Sequence, residues 1–308
     1  GVTDLGLDGF WVISGNEDIV NISKDYELYR SFEGPRVAGW PESARGQMLI
    51  TMDPPAHTRV RKLISTGFTP RMDTTLDEQS RQWAAKIVQE AIEKGTVNFV
   101  DAVAFRLPMN LIADIVGIPE ADRERLFDLV NRVLFAQDPS HPLPQEEQDR
   151  LQGEIFMYGR SLSDAKLKDP GDDVWTQLTQ AEIQLDDGTA TKLSQIELDL
   201  FFMVLTLAGS ETTRNSITQG LQELVRHPDQ IEMMRNDPSL VNSACEEMIR
   251  WTSAVTYFRR TATRDHEFKG QQIKEGDPVT LWYPSGNFDE TVFDDPFRND
   301  VTRSPNPH

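Results

Sequence analysis

The spacing of apolar and polar residues changes period along the chain, running mostly helical first and strand-like last. The stretch FWVISG, Phe10 to Gly15, has strand character, and the pattern after it predicts a helix over about 16–22. A Gly- and Pro-rich segment, EGPRVAGWPESARG, breaks the periodicity. Helical spacing returns in MDPPAHTRVRKLISTGF, where Asp53 is the expected cap, Pro54 and Pro55 suit the first turn, and Gly67 ends the helix. Further helices are predicted over about 74–94, 107–116, 120–136, 145–164 and 173–183.

The most informative helix opens at SQIE, where Ser194 and Glu197 form a capping box, and continues to about Arg226 before His227-Pro228 stops it. That exceeds the usual globular helix, so its centre belongs in the core. Short helices over 229–236 and 239–251 lead to FRRTATRDHEF and QQIKEGDPVTLWY. With turns at Lys269-Gly270 and Glu275-Gly276, these read as hairpin strands between about 255 and 283. The expected class is mainly α, of α+β type, in a single domain over residues 1–308.

Charge and composition narrow the partners. With 31 basic and 50 acidic residues the net charge is −19, which argues against nucleic acid or an anionic membrane as the main partner. The longest nearly apolar run, LDLFFMVLTLAG from Leu198 to Gly209, is too short to span a bilayer and contains Asp199. No secretory leader opens the sequence, so a cytoplasmic location is expected. One cysteine, Cys245, precludes an internal disulfide. His57, His141, His227, His266 and His308 are scattered without HExxH spacing, and no conventional zinc site is written here.

Chemistry concentrates in VLTLAGSETTRNS, Val204 to Ser216, the middle of the long helix. Glycine costs about 1 kcal/mol against alanine in a helix interior, so Gly209 requires a reason. Val204, Ala208 and Thr212 share one face with little bulk, where a flat ligand can press closely, and Glu211 stands beside it. Thr212 can bond a ligand or the carbonyl of residue 208, and a desolvated Glu211 can relay protons. Taken alone, the pattern is equally that of a small-residue helix crossing. In CEEMIRW, Glu247 and Arg250 are three apart on one helix face, by itself an ordinary ion pair. In HTRVR, His57 and Arg61 share a helix face, with Arg59 and Lys62 adding charge. Such a face suits carboxylates or phosphates, or is simply solvated. Arg260 in FRRTAT is another cation among apolar residues.

Taken together, AGSETTRNSITQG, EEMIRW, FRRTATRD and the closing PNPH, in that order, resemble the cytochrome P450 family of haem-thiolate monooxygenases. The resemblance covers nearly the whole chain, from FWVISG through MDPPAHTRVRKLISTGFTPRM to PNPH. It is strongest to bacterial enzymes that oxidise steroids, terpenoids and methyl-branched lipids. It implies haem b as cofactor, O2 and a small hydrophobic substrate, and electrons from NAD(P)H through ferredoxin reductase and ferredoxin. It assigns Glu211 and Thr212 to proton delivery, and Ala208 and Gly209 to the haem-facing wall that leaves room for oxygen. His57, Arg61, Arg260 and His308 match cations for the haem propionates. Val204, Ala208 and Val255 are candidates for the substrate wall. Glu247 and Arg250 match a structural ion pair completed by a later arginine, for which Arg298 and Arg303 both qualify.

The resemblance places the iron-ligating cysteine just after PNPH, and further strands and a helix before Gly1. The expectation is therefore a fragment without a metal ligand of its own, inactive as written, since Cys245 belongs to the structural ExxR helix. Such a chain is expected to give no red-shifted reduced-CO band. The segment around 138–168, where family members differ, carries no substrate clue. Two rivals remain: a non-catalytic helical ligand-binding or scaffold protein of the same fold, and an all-helical magnesium-dependent cyclase. The latter lacks a DDxxD-type cluster on a long apolar helix.

Overall fold

The computed structural model describes residues 9–136 and 143–308. In chain order these form β1 (Trp11–Ile13), α1 (Asn16–Lys24), β2 (Tyr29–Arg30), α2 (Ala56–Ser65), α3 (Pro70–Lys94), α4 (Arg106–Val116), α5 (Glu120–Phe135), α6 (Gln145–Lys168) and α7 (Val174–Gln180). There follow β3 (Glu182–Gln184), β4 (Ala190–Lys192), α8 (Gln195–Arg226), α9 (Pro228–Asn236), α10 (Val241–Thr252), β5 (Tyr257–Ala262), β6 (His266–Phe268), β7 (Gln271–Ile273), β8 (Pro278–Trp282) and α11 (Tyr283–Asn287). The expected order, helices first and a minor β region late, is what the chain adopts. It divides into two compact units, residues 55–214 and residues 1–54 with 215–308, and α8 contributes to both.

Unit 55–214 is helical because its apolar positions repeat at helical spacing and converge on one core. That core joins Met109, Ile112 and Val116 of α4 to Leu126 and Val130 of α5, Leu151 and Ile155 of α6, and Leu198 and Phe202 of α8. Trp175 of α7 is fully buried and donates through Nε1 to Ser163 Oγ at 3.0 Å, so its one polar atom is satisfied. A Cβ at Gly159 would lie 2.8 Å from the Phe202 ring, so glycine is what lets α6 meet α8 there.

The second unit packs α1 and a four-stranded sheet, ordered β1-β8-β5-β2, around Ile13, Ile22, Tyr29, Val279 and Leu281. β1 runs parallel to β8 and β5 antiparallel to it, with Val12 opposite Thr280 and Phe258 opposite Leu281. The β6–β7 hairpin turns at Lys269-Gly270 with φ of 49° and 78°, as predicted. The Glu275-Gly276 turn, with Gly276 at φ of 87°, closes no hairpin: it leads from β7 to β8, a strand of the four-stranded sheet that does not pair with β7. Gly220 of α8 faces Met248 of α10, whose Sδ would sit 3.0 Å from an added Cβ.

Several boundaries differ from expectation. Asp53 does not cap α2; Pro55 holds that position, and the Asp53 carboxylate accepts from the amides of Ser31 and Phe32 at 2.8 and 3.1 Å. α3 begins at Pro70, capped by Thr69, whose hydroxyl accepts from the Met72 amide at 3.3 Å. The helix expected over 173–183 ends at Gln180, and Ile183 enters the β3–β4 hairpin, whose short polar strands carry little period-2 signal. The expectations on residues 1–8 and 137–142, including His141, lie outside the described residues.

Candidate active site

α8 is built as its sequence demands. Ser194 accepts from the Glu197 amide at 3.4 Å, and Glu197 Oε2 accepts from the Ser194 amide and hydroxyl at 2.7 and 2.8 Å, the predicted reciprocal cap. The middle of the helix is polar on an apolar background, and its hydroxyls turn back on the helix itself. Thr206 Oγ1 donates to Phe202 O at 2.8 Å, Ser210 Oγ to Thr206 O at 2.6 Å, Thr212 Oγ1 to Ala208 O at 2.8 Å and Thr213 Oγ1 to Gly209 O at 3.0 Å. For the fully buried Thr206 and Ser210 this removes the cost of an unpaired hydroxyl.

Around this helix the environment is asymmetric. Phe202, Thr206 and Ser210 are buried, whereas Ala208 is exposed and Val204, Glu211 and Thr212 are half-buried. Val204, Ala208 and Thr212 thus form a low, open face, as their spacing predicted, with the Thr212 hydroxyl tied to the carbonyl of Ala208. Glu211 has no hydrogen-bond or ion-pair partner among the described residues. Gly209, next to Ala208, is half-buried, and a Cβ added there would lie 3.2 Å from Ile112 Cδ1 of α4.

His57 and Arg61 project from α2, half-buried and exposed respectively, and neither has a carboxylate partner among the described residues. Arg260 on β5 is half-buried, and its guanidinium donates only to the carbonyl of Arg259, at 3.2 Å. In a chain with 50 acidic residues, cations left without an internal carboxylate are a donor set suited to acids from outside the chain. His308 stands differently, with Nε2 2.9 Å from Glu246 Oε2 on α10. Val255 is half-buried between α10 and β5.

The ExxR pair is embedded in a network that sequence spacing did not reveal. Glu247 and Arg250 are both fully buried, joined by Nε–Oε2 and Nη2–Oε1 contacts of 2.7 and 2.8 Å. The third member is Arg303, whose Nε reaches Glu247 Oε2 at 3.0 Å; Arg298 makes no such contact. Asn306 Nδ2 at 3.1 Å and the Asp300 amide at 3.0 Å complete the coordination of Glu247, while Arg250 Nη1 donates to Asn287 O at 2.7 Å. Every lone pair of this buried carboxylate is used, the condition under which a buried charge is tolerated.

Among the described residues no group of three or more His, Cys, Asp or Glu side chains is placed to hold a metal ion. Cys245 lies on the exposed side of α10, and desolvation by its neighbours, with the Glu246 carboxylate, raises its thiol above the usual range. No helix among the described residues is long and apolar enough to cross a membrane.

A family model described as Cytochrome P450 matches residues 145–304. A steroid C26-monooxygenase of Mycobacterium bovis is 41% identical over 307 residues, covering 97% of this chain and 69% of that protein. A methyl-branched lipid omega-hydroxylase of Mycobacterium tuberculosis is 35% identical, covering 98% and 71%. A Mycobacterium marinum cytochrome P450 solved in complex with pseudoionone superposes with a TM-score of 0.87 at 35% identity, covering 97% of this chain and 73% of that one. The chain belongs to the cytochrome P450 family, whose cofactor is haem.

Proposed function

We propose that residues 1–308 belong to a monooxygenase that hydroxylates a hydrophobic substrate of the steroid or methyl-branched lipid class, and that they do not turn over by themselves because, among the described residues, they carry no iron ligand of their own. The observation that carries this reading is the exposed Ala208 face of α8, flanked by Thr212 and the unpartnered Glu211. The substrate class comes from the printed activities of the relatives. Haem, when bound, would supply the iron chemistry needed to activate O2. One oxygen atom enters a C–H bond and the other leaves as water, with two electrons and two protons consumed.

The chain's own residues then divide the work. His57 and Arg61 on α2, with Arg260 on β5, bind carboxylates of the cofactor. His308 joins them once its imidazole exchanges Glu246 for that acid. Val204, Ala208 and Val255 give the substrate an apolar wall that excludes water. Glu211 receives protons from solvent, and the Thr212 hydroxyl passes them on at the open face, its bond to the Ala208 carbonyl holding the oxygen in place. Residues 1–308 act as one functional domain in this reading. Ferredoxin, with its reductase, supplies the electrons, and the cytoplasm is the compartment.

The test is turnover under 18O2 by the protein encompassing residues 1–308, loaded with haem and supplied with ferredoxin and its reductase, against steroids and branched lipids. One labelled oxygen in an alcohol product supports the reading. Saturable lipid binding without oxygen incorporation would instead favour a ligand-binding protein of the same fold.

A further inference from the structure

We propose that Arg59 is a positioning residue that sets the rotation of α2 and so the direction in which His57 and Arg61 offer their charge. The inference rests on reading those two residues as carboxylate binders. α2 buries Val60, Leu63 and Ile64. At 100° per residue, Arg59 emerges on one shoulder of that apolar stripe and His57 with Arg61 on the other, about 180° away. Apolar burial is non-directional and leaves a short helix free to roll over its stripe. Charged hydrogen bonds remove that freedom.

Arg59 is held on three sides. Its guanidinium pairs with Glu197 of α8 and donates to the Lys192 carbonyl at 3.2 Å and to Thr191 Oγ1 at 3.4 Å. The pair is largely shielded, with side-chain exposures of 26% for Arg59 and 13% for Glu197. Glu197 divides its oxygens: Oε1 takes Arg59, while Oε2 takes the amide and hydroxyl of Ser194 in the α8 cap. The residue that starts α8 therefore also fixes the roll of α2, and all of these residues lie in one compact unit.

The experiment compares haem with haem dimethyl ester, whose carboxylates are blocked, by absorbance titration of the protein encompassing residues 1–308. Wild type, Arg59→Met, Arg59→Lys and Glu197→Gln are measured, with thermal melts alongside. Glu197→Gln keeps an acceptor for Ser194 while removing the charge. Wild type is expected to prefer haem to the diester. Arg59→Met and Glu197→Gln are expected to cut that preference roughly tenfold, the scale on which residues that orient a binding group act. Affinity for the diester should hold, and Arg59→Lys should recover part of the loss. Unchanged preference in Arg59→Met, or an equal loss toward both porphyrins, overturns the positioning role. Should Arg59→Met not fold, Glu197→Gln decides by the same criterion. A wild type that binds neither porphyrin, or does not distinguish them, overturns instead the carboxylate-binding role of His57 and Arg61.

Discussion

Arg303 and Arg298 are five residues apart in one polar turn, yet the structure gives them opposite weights, and this is testable by substituting each with Met. Arg303 contributes one charged hydrogen bond of 3.0 Å to the buried Glu247, and its side chain is only 9% exposed. Its other bonds, to the carbonyls of Asp294, Asp295 and Arg298, face solvent and can be replaced by water. Glu247 would keep both bonds from Arg250 and those from Asp300 and Asn306. The loss is therefore one charge-assisted bond, about 2 kcal/mol, at the middle of the usual range. Arg250→Met removes two such bonds and leaves the carboxylate in the core without its principal partner, costing about 3–5 kcal/mol. Arg298→Met should fall within about 0.5 kcal/mol of wild type. Urea unfolding followed by tryptophan fluorescence reads the series, since Trp251 neighbours Arg250 and packs edge-on to Phe288 at 5.3 Å. Equal losses for Arg298→Met and Arg303→Met would refute the assignment.

Three further substitutions each isolate a single contact or charge. Thr212→Val should leave the melting temperature nearly unchanged, because the Ala208 carbonyl keeps its helical amide, while product formed per O2 consumed falls on the order of 10²-fold; unchanged coupling would remove Thr212 from proton delivery. Gly159→Ala should destabilise by about 1–3 kcal/mol, since the added carbon meets the fully buried Phe202 at 2.8 Å, and Phe202→Leu should restore part of it; a neutral melt would contradict that close approach. Glu33 is pushed up by burial but held below the usual carboxylate range by the hydrogen-bonded Arg30 guanidinium. Its contribution is thus present above the ordinary glutamate pKa and lost as pH falls through the lowered one, so Glu33→Gln should flatten the acid side of the stability–pH curve. A curve parallel to wild type would show that Glu33 does not titrate as described.

What was legible in the sequence was what local chemistry fixes. The capping box at Ser194 and the His227-Pro228 stop bracket α8 because both act within a few residues of the helix ends. The β3–β4 hairpin escaped notice because its strands are three residues each and mostly polar. The parallel pairing of β1 with β8 joins residues more than 260 positions apart, a contact no periodicity encodes. The site divided along the same line. The open face of Val204, Ala208 and Thr212 follows from spacing on one helix. The turn that brings Arg303 rather than Arg298 to Glu247, the approach of Ile112 to Gly209, and the Arg59–Glu197 pair are tertiary facts.

If the face of α8 around Ala208 serves oxygen insertion into a hydrophobic substrate, an oxygen atom of O2 must appear in the product. Mass analysis of products formed under 18O2, with haem, ferredoxin and its reductase present, measures this most directly. The expected product is a steroid or branched-lipid alcohol carrying one labelled oxygen, with yield lost in Thr212→Val. An alcohol whose oxygen comes from water, or no oxygenated product from any such lipid, would contradict it.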